Sequence, residues 1–194
     1  MNIEQFFLGS YLGDGCFIKK SDKHNTYCTF KHCESQLEYL KWKYSVVREN
    51  GLTNDKHKGI VEVNIKPGTC FPNHQRQFRF STISTPELNR YKCMTVEEIA
   101  DMFSEEAFVV WLLDDGNVHK KRIKIACGSL PVWLCYRLVA KLLVEFEFDA
   151  YFYEHPTKRT KNYIVIREDS YDDVSALVHK HIPNIDVVMR KFGF

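Results

Sequence analysis

Two apolar stretches of the chain each run into an aspartate followed by glycine. The first is Phe7-Leu8-Gly9-Ser10-Tyr11-Leu12-Gly13-Asp14-Gly15 and the second Phe108-Val109-Val110-Trp111-Leu112-Leu113-Asp114-Asp115-Gly116. Such apolar density reads as helix, with Asp-Gly as its stop. A single Asp-Gly is an ordinary helix end or hairpin turn. Two of them, 101 positions apart in a 194-residue chain, ask for more. An aspartate in the last helical turn faces the negative end of the macrodipole, at a cost of ~0.3–1 kcal/mol, and two such carboxylates side by side repel one another. A divalent cation between them relieves both effects. Hard carboxylate oxygens, few protein ligands and positions left for water and phosphate oxygens are what Mg²⁺ favours.

These carboxylates must be positioned by their helices. Gly9 and Gly13 lie four apart, so one helical face lacks side chains and another backbone can approach it. Val110 and Asp114 hold the matching places on the second helix. Asp114 competes with Asp115 by residue type, but it falls one place early, on that contact face. After each Asp-Gly the same pattern follows. Cys16–Lys20 and Tyr27–Lys31 read as a hairpin, Ser35–Glu49 as an amphipathic helix, Ile60–Lys66 and Gln75–Ser81 as strands, and Pro86–Lys92 as a short closing helix. In the second half Asn117–His119 and Arg122–Cys127 form a hairpin and Pro131–Phe146 a helix. Ala150–Glu154 and Tyr163–Arg167 follow as strands, and Ser170–His181 as a helix. The expected class is α+β, an αββαββα unit used twice, over residues 1–95 and 96–194, with Cys93–Glu105 as connector.

Composition narrows the classes of function. Hydrophobic residues make up 44% of the chain, enough for a sizeable core, and 27 Lys and Arg against 25 Asp and Glu exclude a polybasic shell. The longest apolar run, Phe108–Leu113, is far short of the ~20 residues that span a membrane. Glu4, with no Lys or Arg before Lys19, does not read as a secretory leader. Seven cysteines, an odd number without a Cys-x-x-Cys pair, suggest reduced thiols in an intracellular, reducing compartment. Cys28, His32 and Cys33 lack the second pair that a zinc finger needs and read as strand or core residues. Trp42, Trp111 and Trp133 read as core. No phosphate-binding loop, dinucleotide fingerprint or serine elbow is present.

The paired segments resemble the signature helices of the LAGLIDADG homing endonucleases, in their single-chain, two-motif form. Leu12 and Leu113 stand where the family name spells an acidic residue. The run His32-Cys33-Glu34-Ser35-Gln36-Leu37-Glu38-Tyr39-Leu40-Lys41-Trp42-Lys43-Tyr44 is similar to the strand-to-helix segment of the intron-encoded branch. Pro183–Phe192 is similar to its closing segment, and Pro86–Lys92 to the counterpart in the first repeat. The resemblance implies that Asp14 and Asp115 are metal-binding catalytic carboxylates, and that the carbonyls of Gly13 and Asp114 add ligands. Lys92 and Lys191 match the family's basic residues near the metals; as helix ends they also read as ordinary solvated lysines. The implied activity is site-specific double-strand cleavage of DNA by a monomer whose two four-stranded antiparallel sheets form a saddle. The implied cofactor is Mg²⁺, with Mn²⁺ as substitute. The alternative on the same fold is an intron RNA maturase, with intron RNA as partner, or a DNA-binding protein that does not cut.

Strand alternation sorts a reading face from a packed face. Tyr27, Thr29 and Lys31 oppose Cys28 and Phe30. Glu62, Asn64 and Lys66 oppose valines and Ile65. Gln75, Gln77 and Arg79 oppose Phe78 and Phe80; Arg122 and Lys124 oppose Ile123 and Ile125. Amides and cations of this kind pair with base edges in the major groove, although one such strand alone is an ordinary wet sheet face. Lys19, Lys20, Lys23, Lys56, Lys58, Lys120, Lys121, Lys158, Arg159 and Lys161 fall in turns, where they either grip phosphates or merely solubilise.

Overall fold

The computed structural model describes residues 1–53, 59–63, 76–183 and 185–192. In chain order its elements are α1 (Ile3–Leu12), β1 (Cys16–Ile18), β2 (Tyr27–Cys33), α2 (Leu37–Glu49), β3 (Val61–Val63), β4 (Gln77–Ser81) and a 3-10 segment (Pro86–Lys92). Then come α3 (Val96–Met102), α4 (Glu105–Asp115), β5 (Gly116–His119), β6 (Arg122–Ala126), α5 (Val132–Val144), β7 (Ala150–Tyr153), β8 (Tyr163–Ile166), α6 (Tyr171–His181) and α7 (Asp186–Lys191). The expected repeating order is present, in the α+β class. The connector is more than a linker: it holds α3. Thr95 and Glu98 close a capping box around its first turn, a signal present in the sequence as Thr-x-x-Glu ahead of Ile99 and Ala100.

Two compact units divide the chain. Met1–Gly13, Met94–Asn184 and Val188–Phe194 form one; Asp14–Cys93 with Ile185–Val187 form the other. The second of these carries an antiparallel sheet of order β1-β2-β4-β3. On its packed face Phe30 stacks on Phe80 at 4.9 Å between ring centres, and α2 covers them with Leu40, Val46 and Val47. The 3-10 segment is tied back to β2, where Asn89 Oδ1 accepts from the Thr26 amide at 2.8 Å, and Tyr91 stacks on Phe17 at 4.9 Å. An antiparallel sheet with one apolar face forms this way because alternate residues of β2 and β4 are apolar.

The larger unit carries the sheet β5-β6-β8-β7 and the helix pair α1 and α4. Both helices are apolar on nearly all sides and both are buried, as such helices must be. Asn2 caps α1 by accepting from the Glu4 and Gln5 amides, and Ser104 caps α4 by accepting from the Ala107 amide. Phe103, Phe108, Phe146 and Phe148 pack as an aromatic cluster with ring centres 5.7–6.4 Å apart, and Trp111 joins it through Phe103. Trp133 departs from the expectation of a core residue. It is 45% exposed on the outer face of α5, under the Arg137 guanidinium.

The helices α1 and α4 meet through glycine. A Cβ on Gly9 would run into the Ala107 carbonyl oxygen and lie 2.7 Å from Val110 Cβ; one on Gly13 would lie 2.6 Å from Asp114 Cβ. Neither neighbour is a flexible side-chain tip, so the helices themselves would have to part. Gly9→Ala is expected to destabilise the protein by about 1–3 kcal/mol. Thermal unfolding checks this: the midpoint should fall by several degrees, whereas Gly51→Ala, whose Cβ meets nothing within 4 Å, reports only backbone strain.

Candidate functional site

In the larger unit, the helix crossing decides what each aspartate of α4 does. Asp114 is spent on the helix contact, its side chain lying against Gly13. Asp115 is the last residue of α4, half-buried, at the negative end of the helix. Lys191, from α7, donates to the carbonyl oxygens of Leu113 at 2.8 Å and Leu112 at 3.2 Å. It therefore satisfies carbonyls that the end of α4 leaves open and puts a cation beside the turn that bears Asp115. Cys127 follows β6. Its thiol is pushed up by a hydrogen bond with Cys135 and by burial, and the negative charge of Asp115 adds to the effect.

The smaller unit begins at Asp14, the residue after Gly13. Its side chain is 43% exposed, and its Oδ2 lies 3.8 Å from Nδ1 of His32, whose side chain is 1% exposed. His32 sits in β2 on the packed face, in one row with Cys28 and Phe30. The same Nδ1 is 3.2 Å from Gln36 Oε1, and the ring meets Tyr39 edge-on at 5.4 Å. Lys43 is also fully buried, with its ammonium 4.7 Å from the Tyr39 ring centre and 5.2 Å from that of Phe30. Lys92 donates to the carbonyl of Phe17 on β1, at 3.3 Å. Each closing lysine thus reaches a main-chain carbonyl near its own Asp-Gly. Sequence reasoning set His32 aside as a strand residue. The available signal was a lone polar side chain in an otherwise apolar alternating row.

Strand register decides the faces, because residues directly opposite share one. Thr29 opposes Ser81, and their hydroxyls lie 2.7 Å apart; Lys31 opposes Arg79; Cys33 opposes Gln77. Tyr27, Thr29, Lys31, Gln77 and Arg79 are therefore on the open face, as expected. Glu62 is not. It opposes Phe78, which in turn opposes His32, so Val61 and Val63 take the open side. The reason is register: β3 pairs with β4 one residue away from the offset that its own alternation suggested. Glu62 instead binds Arg76 at 2.7 Å and 2.9 Å, a bond that holds its carboxyl below the usual range. Asn64, Lys66 and Gln75, with Lys56 and Lys58, lie outside the described residues.

In the larger unit Arg122 and Lys124 are exposed opposite the buried Ile123 and Ile125. Register adds residues to which the sequence assigned no face. Lys124 stands opposite Val165, which stands opposite Tyr151; Ala126 is linked in the same way through Tyr163 to Tyr153. Tyr153 stacks on Tyr163, Lys124 lies over Tyr163 and Arg167 over Tyr151. Asn117 and His119 share the face opposite Lys124 and Arg122. This sheet offers rings as well as cations.

The turn cations differ from one another. Lys19, Lys20 and Lys23 are exposed, as are Lys158 and Lys161. Arg159 is partly used by the structure, donating to the Leu130 carbonyl at 2.6 Å. Lys120 and Lys121 form the two-residue turn between β5 and β6 with φ of 50° and 61°, a conformation usually left to asparagine and glycine. Lys121 also reaches Asp172 at 3.1 Å, and Arg122 reaches Glu168 at 3.2 Å.

Comparison with solved structures agrees with this architecture. The homing endonuclease I-WcaI bound to its DNA recognition sequence matches with a TM-score of 0.76 at 17% identity, over 98% of this chain and 85% of that one. I-DmoI in complex with DNA and Mn matches at 0.60 and 15% identity, over 94% and 98%. I-SmaMI bound to uncleaved DNA in the presence of calcium ions matches at 0.56 and 10% identity, over 98% and 88%. At these identities the likeness shows the fold. None of the curated proteins compared matches. The sequence itself carries the assignment: the model of the LAGLIDADG DNA endonuclease family matches residues 4–174, both helix motifs included, and the chain belongs to that family.

Proposed function

We propose that the chain is a site-specific homing endonuclease, cutting both strands of DNA at a long asymmetric target and acting as a monomer. The observation that carries this reading is the doubled motif: two helices crossing through glycine, each followed or ended by a carboxylate, with Asp114 taken up by the crossing. The donors suit a divalent ion, since Asp14 and Asp115 are accessible hard oxygen ligands at helix ends. Asp14 and Asp115 would hold it, with the carbonyls of Gly13 and Asp114 as further donors. Such an ion, Mg²⁺ with Mn²⁺ as substitute, would supply Lewis-acid stabilisation of the scissile phosphate. Related structures carry Mn, Ca or Mg in their descriptions, which supports a divalent requirement.

The chain's own residues do the rest. The open sheet faces bind DNA, through amides and cations in the smaller unit and through cations and tyrosines in the larger. Lys92 and Lys191 place positive charge where the phosphate gains negative charge as water attacks and the 3′ oxygen leaves. The exposed turn lysines hold the backbone outside the cut. The odd number of cysteines suits a reducing intracellular compartment.

Asp14→Asn and Asp115→Asn are each expected to abolish double-strand cleavage in Mg²⁺ while leaving DNA affinity in Ca²⁺ nearly unchanged. Cleavage at the wild-type rate by either variant contradicts the reading. Lys92→Met and Lys191→Met should lower the single-turnover rate by about 10²-fold or more with little change in affinity; weaker binding at an unchanged rate would make them backbone contacts only. Replacing Lys120-Lys121 by Asn-Gly relaxes the turn and removes two cations. We expect a higher thermal midpoint, by roughly 0.4–1 kcal/mol of stability, together with a salt slope of DNA binding reduced by about two. An unchanged slope would mean that neither lysine touches phosphate.

A further inference from the structure

We propose that His32 is a positioning residue that holds the Asp14 carboxylate for its ion, and that Cys127 occupies the same post behind Asp115 with a weaker grip. This rests on the reading of Asp14 and Asp115 as ion-binding carboxylates. A buried imidazole is expensive unless its polar atoms are engaged, and an aliphatic side chain would suit the row of Cys28 and Phe30 better. The ring is held in place edge-on by Tyr39 and directs Nδ1 at Gln36 and at Asp14 Oδ2, 3.8 Å away. Asp14 is the mobile partner, 43% exposed against 1% for His32. A fixed donor on one carboxylate oxygen orients the other toward an ion, as outer partners of metal ligands do.

The second repeat shows the same post filled differently. Cys16, one past the first Asp-Gly, pairs with Thr29; Asn117, one past the second, pairs with Lys124. Three residues further along each partner strand stand His32 and Cys127, both buried. Cys127 senses the Asp115 charge, and its bond with Cys135 and its burial keep it a neutral thiol. A thiol is a weak donor, an imidazole N–H a strong one. The two carboxylates are therefore supported unequally.

The test is a Mn²⁺ titration of the full chain, with bound ion read by electron paramagnetic resonance and the thermal midpoint recorded for each variant. His32→Leu, which keeps volume and loses the donor, should weaken Mn²⁺ binding about 10–100-fold, and His32→Gln, which keeps an N–H, should recover to within about threefold. Should His32→Leu fail to fold, His32→Met takes its place. Cys127→Ser, a smaller side chain with a stronger donor, should tighten binding. Wild-type Mn²⁺ affinity in His32→Leu, or equal losses in the Leu and Gln variants, overturns the role of His32; unchanged affinity in Cys127→Ser overturns that of Cys127. Asp14→Asn separates the two levels: if it binds Mn²⁺ like wild type, the underlying assignment of the carboxylate fails instead.

Discussion

Backbone-to-backbone approach of α1 and α4 is the constraint from which the rest follows. Gly9 against Ala107 and Val110, and Gly13 against Asp114, leave no room for a side chain on the α1 side. Once that contact is made, the rotation of each helix is settled, and so is the identity of the residue that leaves it. Asp114 belongs to the contact; Asp115 ends α4; the chain passes from Gly13 directly into Asp14. A shift of one residue would exchange the roles of Asp114 and Asp115. Shape fixes register here, where charge alone would allow either aspartate.

That arrangement leaves open carbonyls and a negative helix end to be compensated. Lys191 meets the Leu112 and Leu113 carbonyls in the larger unit, and Lys92 meets the Phe17 carbonyl in the smaller. Each repeat thus returns a lysine from its closing segment to the neighbourhood of its own Asp-Gly. The sheets have diverged more. One presents Thr29, Ser81, Lys31, Arg79 and Gln77, hydrogen-bonding groups throughout; the other sets Tyr151, Tyr153 and Tyr163 among Lys124 and Arg167. Unequal surfaces suit a target whose two halves differ in sequence.

Much of this was legible in the residues. Alternation in β2, β4 and β6 gave the correct faces because each strand packs one side on helices and leaves the other open. It failed for Glu62, since β3 is short and its facing is set by pairing with β4, a long-range choice that local pattern does not contain. The tyrosines of β7 and β8 were hidden because Tyr163, Ile164, Val165 and Ile166 are apolar at every position, so period two carries no signal there. Trp133 was misread because helical spacing does not say which side of α5 meets a neighbour. The capping box of α3 was readable and passed over inside a presumed linker. His32 needed three dimensions: only the fold brings β2 to the residue after α1.

The central claim is that Asp14 and Asp115, and not Asp114, carry the ion. Anomalous diffraction at the manganese edge, from crystals of the chain with bound DNA and Mn²⁺, tests it most directly. The account predicts anomalous density within coordination distance of the Asp14 and Asp115 carboxylates, with the Asp114 side chain still packed on Gly13. Density held by the Asp114 carboxylate, or none at Asp14 and Asp115 while DNA is bound, would contradict it.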